Sequence, residues 1–470
     1  MLHIDPNNQI RFGTDGWRAI IAKDFTLENL RRVSAGTALF MQKSGFHKVV
    51  IGHDCRFGGR MFLEEAARVF SHYSIEVLIA DGFVSTPMVS LGAVTHKADV
   101  GIVITASHNP ASYNGFKLKS SFGGPCLPDA ISEVESLIPD VFAEKLNDFS
   151  VLLKNNSIKI VDLQAEYISQ VEKAFDLNAI RKNVHLVYDA MYGSGQLAMK
   201  EIIPGLHAFH CEWNPGFQNT APEPILKNLT EILAFIKSQP GKYIGVANDG
   251  DADRLAMIDE LGNIVDSQNL LLLLVYYLAG VKSKKGKIVV SNTVTNKIKK
   301  IAALYGLEVI ATKVGFKYIA DYMIRDSVLI GGEESGGIAV QGHIPERDGI
   351  WIALTILEFM ASTGKTLHNL VKEVHEIVGS FYYDRLDLPL TVETMQTVKT
   401  RLANDTFSTF GRFKVIQYDQ LDGDKFFFED DDWLMFRASG TEPVLRIYAQ
   451  ANNQEKVDEL FKAARAVFNI

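Results

Sequence analysis

Short apolar runs alternate along the chain with longer stretches in which apolar residues recur at helical spacing. Val49–Gly52, Val77–Ala80 and Gly101–Ile104 read as strands. A second set follows at Ile158–Val161, Val184–Val187 and Tyr243–Val246, and a third at Lys287–Val290, Glu308–Ala311 and Val328–Ile330. Several of these runs are apolar throughout, the pattern of strands covered on both faces. Leu27–Lys43, Met61–His72 and Ile131–Leu137 carry the helical period between them. Strand–helix alternation of this kind predicts α/β layers. The last hundred residues differ. Lys425–Phe428, Trp433–Arg437 and Leu445–Ala449 read as antiparallel strands and Gln454–Phe468 as a closing helix, together a smaller α+β domain. The expected division is four domains, at residues 1–148, 149–261, 262–376 and 377–470. At roughly 100–200 residues per domain, a chain of this length suits three or four.

Composition narrows the class without changing this outline. Of the 470 residues, 47% are hydrophobic and 22% charged, a globular balance. The formal net charge of −8 argues against a nucleic-acid partner, although a local basic pocket for a small anion remains compatible with it. Three widely spaced cysteines, Cys55, Cys126 and Cys211, form no CxxC pair, which points to a reducing cytoplasm rather than a disulfide framework. The opening MLHIDPNNQIRF lacks the pattern of a signal peptide. The greasiest run, Leu270–Leu278, is far shorter than the about 20 residues a membrane span needs, and reads as a buried helix. The lysine-rich Lys282–Lys287 reads as a solvated loop.

Each α/β block ends a strand in an unusual polar loop, and ligands of open α/β sheets gather at the carboxyl ends of strands. The most telling loop is Asn248-Asp249-Gly250-Asp251-Ala252-Asp253-Arg254. Three alternating carboxylates repel one another unless a hard divalent cation sits among them. Asp249, Asp251, Asp253 and Glu260 fall at EF-hand positions, but Arg254 stands where that loop requires glycine, and a strand precedes it. A three-carboxylate site with open coordination suits Mg2+. The second loop, Thr105-Ala106-Ser107-His108-Asn109-Pro110, is followed by Tyr113-Asn114-Gly115-Phe116-Lys117. It sets a hydroxyl at a strand end with an imidazole and a cation nearby, and it does not match the G-x-S-x-G elbow. The third, Gly331-Gly332-Glu333-Glu334-Ser335-Gly336-Gly337, joins flexible backbone to carboxylates that accept from hydroxyls, as a sugar site would. The fourth, Arg437-Ala438-Ser439-Gly440-Thr441-Glu442-Pro443 with Arg446, has the donors of a phosphate cradle. One competing signal is Gly193-Ser194-Gly195-Gln196-Leu197-Ala198, a G-x-G-x-x-A match that would suit a dinucleotide-dependent oxidoreductase. Asp189–Tyr192 separate it from its strand.

Taken together and in this order, the four loops resemble those of the α-D-phosphohexomutase family: phosphoglucomutase, phosphomannomutase and phosphoglucosamine mutase. Phe12-Gly13-Thr14-Asp15-Gly16-Trp17-Arg18 is similar to the family's N-terminal signature, so the resemblance covers essentially the whole chain. It implies four domains around a central cleft, three mixed α/β and one smaller, and a magnesium-dependent isomerase. Ser107 would carry the phosphoryl group. Ser107, Asp249, Asp251 and Asp253 would form the metal site. His108, Lys117 and Arg18 would be candidates for proton transfer near Ser107. Glu333 and Ser335 would hold sugar hydroxyls, with Lys313 and Arg254 near the substrate. Arg437, Ser439, Gly440 and Thr441 would grip the phosphate that is not transferred.

The implied reaction interconverts hexose 1-phosphate and hexose 6-phosphate through phosphorylated Ser107 and a bisphosphorylated sugar that turns round in the cleft. GEESGG leans towards glucose phosphate. Mannose phosphate or dual specificity is the alternative, and glucosamine phosphate a further one. Several members have histidine where this chain has Gly337. The expected partner is a hexose phosphate, with neither nucleic acid nor membrane, in a cytoplasmic monomer or homodimer. A non-catalytic calcium module is a third reading of the aspartate loop.

Overall fold

A computed structural model describes residues 9–438 and 444–470, and its four larger sheets follow one another along the chain, with a two-stranded ribbon, Thr409–Phe410 and Phe413–Lys414, inside the last unit. The first has six strands in the order Trp17–Ile20, Tyr113–Ser120, Val100–Ile104, Lys48–His53, Glu76–Ala80, Ile158–Val161; the first three neighbour one another antiparallel and the last four run parallel. The second has five, Ile264–Val265, Leu255–Ile258, Ile244–Asn248, Leu186–Asp189 and His207–Phe209. The third has four, Val309–Thr312, Lys287–Ser291, Val328–Gly332 and Ile338–Val340. The fourth is antiparallel, in the order Tyr382–Pro389, Val444–Ala451, Trp433–Ala438, Asp424–Phe427, Gln417–Asp419. This is the expected architecture of three mixed α/β units and a smaller α+β unit.

Helix ends follow local capping chemistry. Leu27–Lys43 starts where Thr26 accepts from the Asn29 amide, and it buries Leu30, Val33, Ala38 and Met41. Gly349–Thr363 starts at Asp348, which accepts from the Trp351 amide, and stops at Gly364 in the left-handed region. The greasy run forms a buried helix, Ser267–Val275, continued by a π turn over Tyr276–Val281. Among the described residues no single helix is long and apolar enough to cross a membrane.

Three elements depart from the sequence reading. Ile158–Val161, grouped above with the second block, pairs with Glu76–Ala80 and closes the first sheet, so the chain leaves the first unit after this strand. Tyr113–Ser120, read as the tail of a polar loop, is a full strand on which Lys117 and Lys119 are wholly buried. Lysines on a central strand mask the apolar signal there. Tyr382–Pro389 carries no apolar run, because as an edge strand it turns only alternate residues, Leu386 and Leu388, towards the fourth core.

Lysines mark the meeting of the third and fourth units. Lys297 and Lys300 pair with Asp431, the former at 3.1 Å. Lys425 Nζ, fully buried, donates to the Asn292 carbonyl at 2.7 Å and lies 3.9 Å from the Trp433 ring centroid. Burial pushes the Lys425 pKa down to about 7. An unfolded lysine titrates near 10.4, so between about 7 and about 10 the unfolded chain binds more protons, and stability rises with pH through that window. Lys425→Met is expected to flatten that slope and to raise the melting midpoint near neutral pH by about 2 °C, read by calorimetry as a function of pH.

Candidate active site

Ser107 sits just past the end of strand Val100–Ile104, almost fully buried, with φ +53°. Its amide donates to Thr105 Oγ1 at 2.9 Å, and Thr105 Oγ1 donates to Asp54 Oδ2. Its hydroxyl donates to Asp249 Oδ2 at 2.8 Å and lies 3.4 Å from His108 Nδ1. Two sequence-distant loops therefore meet at one hydroxyl. Gly250 has to be glycine, because a Cβ there would collide with the Ser107 carbonyl. Burial and the nearby Arg254 and Arg18 hold the His108 pKa well below the usual histidine range. Arg18 reaches the same loop through Asn109 Oδ1 at 2.8 Å.

Asp249, Asp251 and Asp253 are fully buried, and one carboxylate oxygen from each lies within 4.8 Å of the other two. Asp251 Oδ2 is taken by Lys117 at 2.7 Å and by Thr86, and Asp253 Oδ2 by Arg347 at 2.8 Å and Lys117 at 3.1 Å. The other oxygens, Asp251 Oδ1 and Asp253 Oδ1, are buried and have no hydrogen-bond partner. Burial and the two neighbouring carboxylates drive the Asp249 pKa well above the normal value. Orphaned hard oxygens and mutual repulsion are the conditions a divalent cation relieves, so this donor set fits magnesium.

The remaining cations bind this triad to the rest of the fold. Lys117 Nζ also meets Asp15 at 2.7 Å, and despite complete burial its three carboxylates hold its pKa above the ordinary lysine value. Arg347 pairs with Asp15 as well as Asp253, and Lys119 with Glu346 at 2.7 Å. Asp15, Asp54, Arg56, Thr86, Glu346 and Arg347 were missed by sequence reasoning as site residues. Asp15 stood inside a quoted signature, but nothing local marked Arg347 as the partner of two carboxylates on other units.

The sugar-type loop joins the metal-type loop directly: Arg254 and Gly337 form an antiparallel bridge. Arg254 also donates its amide to Asp249 Oδ1 at 3.0 Å. Glu333 Oε1 accepts from the Gly315 amide at 2.8 Å, and burial pushes its pKa up to about 7. Ser335 is half-buried and Lys313 exposed, on the loop next to Gly315. Glu334, rather than facing outward, accepts from Thr293 Oγ1 at 2.6 Å. Arg437 Nε donates to Asp422 Oδ2 at 3.0 Å, and the same oxygen accepts from the Val314 amide at 2.8 Å. Arg437 thus abuts the segment that carries Lys313. Ser439, Gly440 and Thr441 lie outside the described residues.

The G-x-G-x-x-A match is explained by packing rather than by a dinucleotide. A Cβ on Gly193 would stand 2.8 Å from the Asp249 and Gly250 carbonyls, and the Ser194 amide donates to the Gly250 carbonyl at 2.9 Å. These glycines back the aspartate loop, which leaves no opening for a pyrophosphate. The oxidoreductase alternative falls with them.

Comparison with known proteins agrees with this geometry. Family models for phosphoglucomutase/phosphomannomutase match along the chain: alpha/beta/alpha domain I over residues 9–144, domain II over 165–262, domain III over 266–377 and the C-terminal domain over 395–467. The chain is 30% identical over 458 residues to a phosphoglucomutase/phosphomannomutase of Thermococcus kodakarensis, covering 95% of this chain and 96% of that protein. It is also 30% identical to a phosphoglucosamine mutase of Methanococcus maripaludis over 463 residues, 96% of each chain. A solved structure from Thermus thermophilus, described as a "putative phosphomannomutase", superposes with a TM-score of 0.87 at 32% identity, covering 98% of this chain and 99% of that one. Three consecutive α/β units meeting at a hydroxyl, a carboxylate triad and a glycine-rich loop, with a fourth unit docked on the third, are the marks of phosphotransferase isomerases acting on hexose phosphates. The protein belongs to the α-D-phosphohexomutase family.

Proposed function

We propose that the protein interconverts glucose 1-phosphate and glucose 6-phosphate through phosphorylated Ser107. The observation that carries this reading is the 2.8 Å hydrogen bond from the Ser107 hydroxyl to Asp249, which sets the nucleophile on the carboxylate triad. In the first transfer the P–Oγ bond of phosphoserine breaks, a bond from phosphorus to the free sugar hydroxyl forms, and that hydroxyl loses its proton to a base. In the second transfer the bond from the other phosphorus to its sugar oxygen breaks, a bond from that phosphorus to Ser107 Oγ forms, and the freed sugar oxygen takes a proton back. His108, Lys117 and Arg18 are the candidates to handle the proton, and of the three His108 is the one hydrogen-bonded to the Ser107 hydroxyl. Glu333 and Ser335, with Lys313 and Arg254 beside them, would orient the sugar. Arg437, Ser439, Gly440 and Thr441 would hold the spectator phosphate.

Charge explains why so many cations gather here. Phosphoserine carries about −1.5 to −2 at neutral pH. Two unit charges about 4 Å apart repel by about 4 kcal/mol at an effective dielectric of about 20. Magnesium held by Asp249, Asp251 and Asp253 beside Ser107 would offset that repulsion at the transferring phosphate. Phosphoryl transfer depends mainly on such positioning and charge stabilisation.

Glucosamine phosphate is the second reading, favoured by relatives such as the Methanococcus maripaludis enzyme. A coupled assay of the purified protein with the 1-phosphates of glucose, mannose and glucosamine, each with its bisphosphate activator, decides. The expected result is highest kcat/KM for glucose 1-phosphate, and a preference of about tenfold or more for another hexose would reassign the substrate.

A further inference from the structure

We propose that Arg56 is a positioning residue for phosphoryl transfer: its guanidinium gathers the backbone of the Ser107 loop and so holds the Ser107 hydroxyl at the aspartate triad. This inference rests on the phosphohexomutase reading.

Arg56 follows the strand Lys48–His53, and its side chain is completely buried. Nη2 donates to the carbonyls of Ser107 and Asn109, each at 2.6 Å. Nη1 donates to the carbonyls of Pro110 at 2.8 Å and Tyr113 at 3.1 Å. Nε lies 3.3 Å from Asp54 Oδ2, and Asp54 Oδ1 accepts from the Arg56 amide at 2.9 Å. A guanidinium has five donors in a rigid planar fork, and here four carbonyls of one short segment share it. The same Asp54 carboxylate accepts from Thr105, whose hydroxyl oxygen receives the Ser107 amide. Both faces of the Ser107 peptide, its carbonyl and its amide, are therefore tied to one Asp54–Arg56 pair.

That tie has something to hold in place. Ser107 adopts φ +53°, a conformation that costs a non-glycine residue of order 1 kcal/mol or more and persists only where its surroundings fix it. The roof over the guanidinium comes from the second unit: the Phe217 ring centroid lies 5.0 Å from the Arg56 guanidinium carbon. Phe217, Gln218 and Asn219 are three successive residues with positive φ, at 48°, 50° and 61°. A strained turn on the unit that supplies the aspartates is thus closed over the residue that shapes the serine loop. Because the clamp grips backbone and touches no sugar-binding residue, it bears on the transfer step and not on substrate affinity.

The test compares Arg56→Lys and Phe217→Leu with the wild type in four readouts: kcat, KM, melting midpoint, and deuterium exchange of the 105–114 segment. Lysine keeps the charge but cannot span four acceptors. The expected result for Arg56→Lys is a kcat lower by roughly 100-fold with KM changed by less than about threefold, a near-native melting midpoint, and faster exchange confined to 105–114. Phe217→Leu, which keeps apolar cover and removes the ring face, is expected to lower kcat by about threefold to tenfold in the same pattern. Wild-type kcat in Arg56→Lys, or unchanged exchange of the segment, overturns the positioning role. So does a loss of kcat matched by a rise in KM and a fall in melting midpoint in both variants. A wild-type protein with no turnover on any hexose 1-phosphate overturns the mutase reading instead, while the exchange comparison still decides whether Arg56 holds the loop.

Discussion

Ser107→Ala is expected to lower mutase turnover by on the order of 10⁴-fold or more while leaving the melting midpoint nearly unchanged. The first effect follows from chemistry: without the hydroxyl there is no oxygen to accept or return the phosphoryl group, and no other hydroxyl donates to Asp249 among the described residues. The second follows from structure. The loop is held by backbone carbonyls on Arg56 and by the Ser107 amide on Thr105, none of which involves the side chain. Steady-state kinetics and intact mass check both halves. The wild type should take up one phosphate on exposure to glucose 1,6-bisphosphate, and the variant none. Turnover by the variant within about tenfold of wild type would sink the covalent route.

Asp251→Asn comes next in expected size, with activity lower by roughly 10²- to 10³-fold at saturating substrate and magnesium affinity reduced. The carboxylate works on two sides. One oxygen is occupied by Lys117 and Thr86, and the other is buried without a partner. Burial alone would raise the Asp251 pKa, but Lys117 and the Thr86 hydroxyl together outweigh it and hold the pKa below the ordinary carboxylate value. An amide removes the charge and leaves Lys117 with Asp15 and Asp253 alone. Titrating activity against magnesium should give a curve shifted to higher concentration. An unshifted curve would show that the metal sits elsewhere.

Much of this was legible in the sequence, for identifiable reasons. Strands buried on both faces, such as Lys48–His53 and Val328–Gly332, announce themselves as apolar runs, and Leu27–Lys43 carries its own caps. The aspartate loop stood out because three alternating carboxylates are costly without a cation. What stayed hidden depends on partners far away in the chain. Arg347 lies 332 residues from Asp15, and no local pattern pairs them. Lys117 and Lys119 look like surface residues until strand pairing carries them inside. Arg56 is an ordinary-looking residue after a strand, and only folding brings four carbonyls around it. Conversely, the glycines at 193 and 195 looked chemical and proved architectural, since backbone packed against backbone selects the same residue as backbone packed against phosphate.

The ion lattice around Asp15 bears on how this architecture can be varied. Asp15 belongs to the first unit, its partner Arg347 to the third, and Arg347 grips Asp253 of the second. Neutralising any one of these three side chains would strand buried charge on the other two units, so the first three modules constrain one another's sequence. Among the described residues the fourth is attached through polar groups chiefly by lysine contacts and a shared Asp422 oxygen, and is the module most open to transplantation.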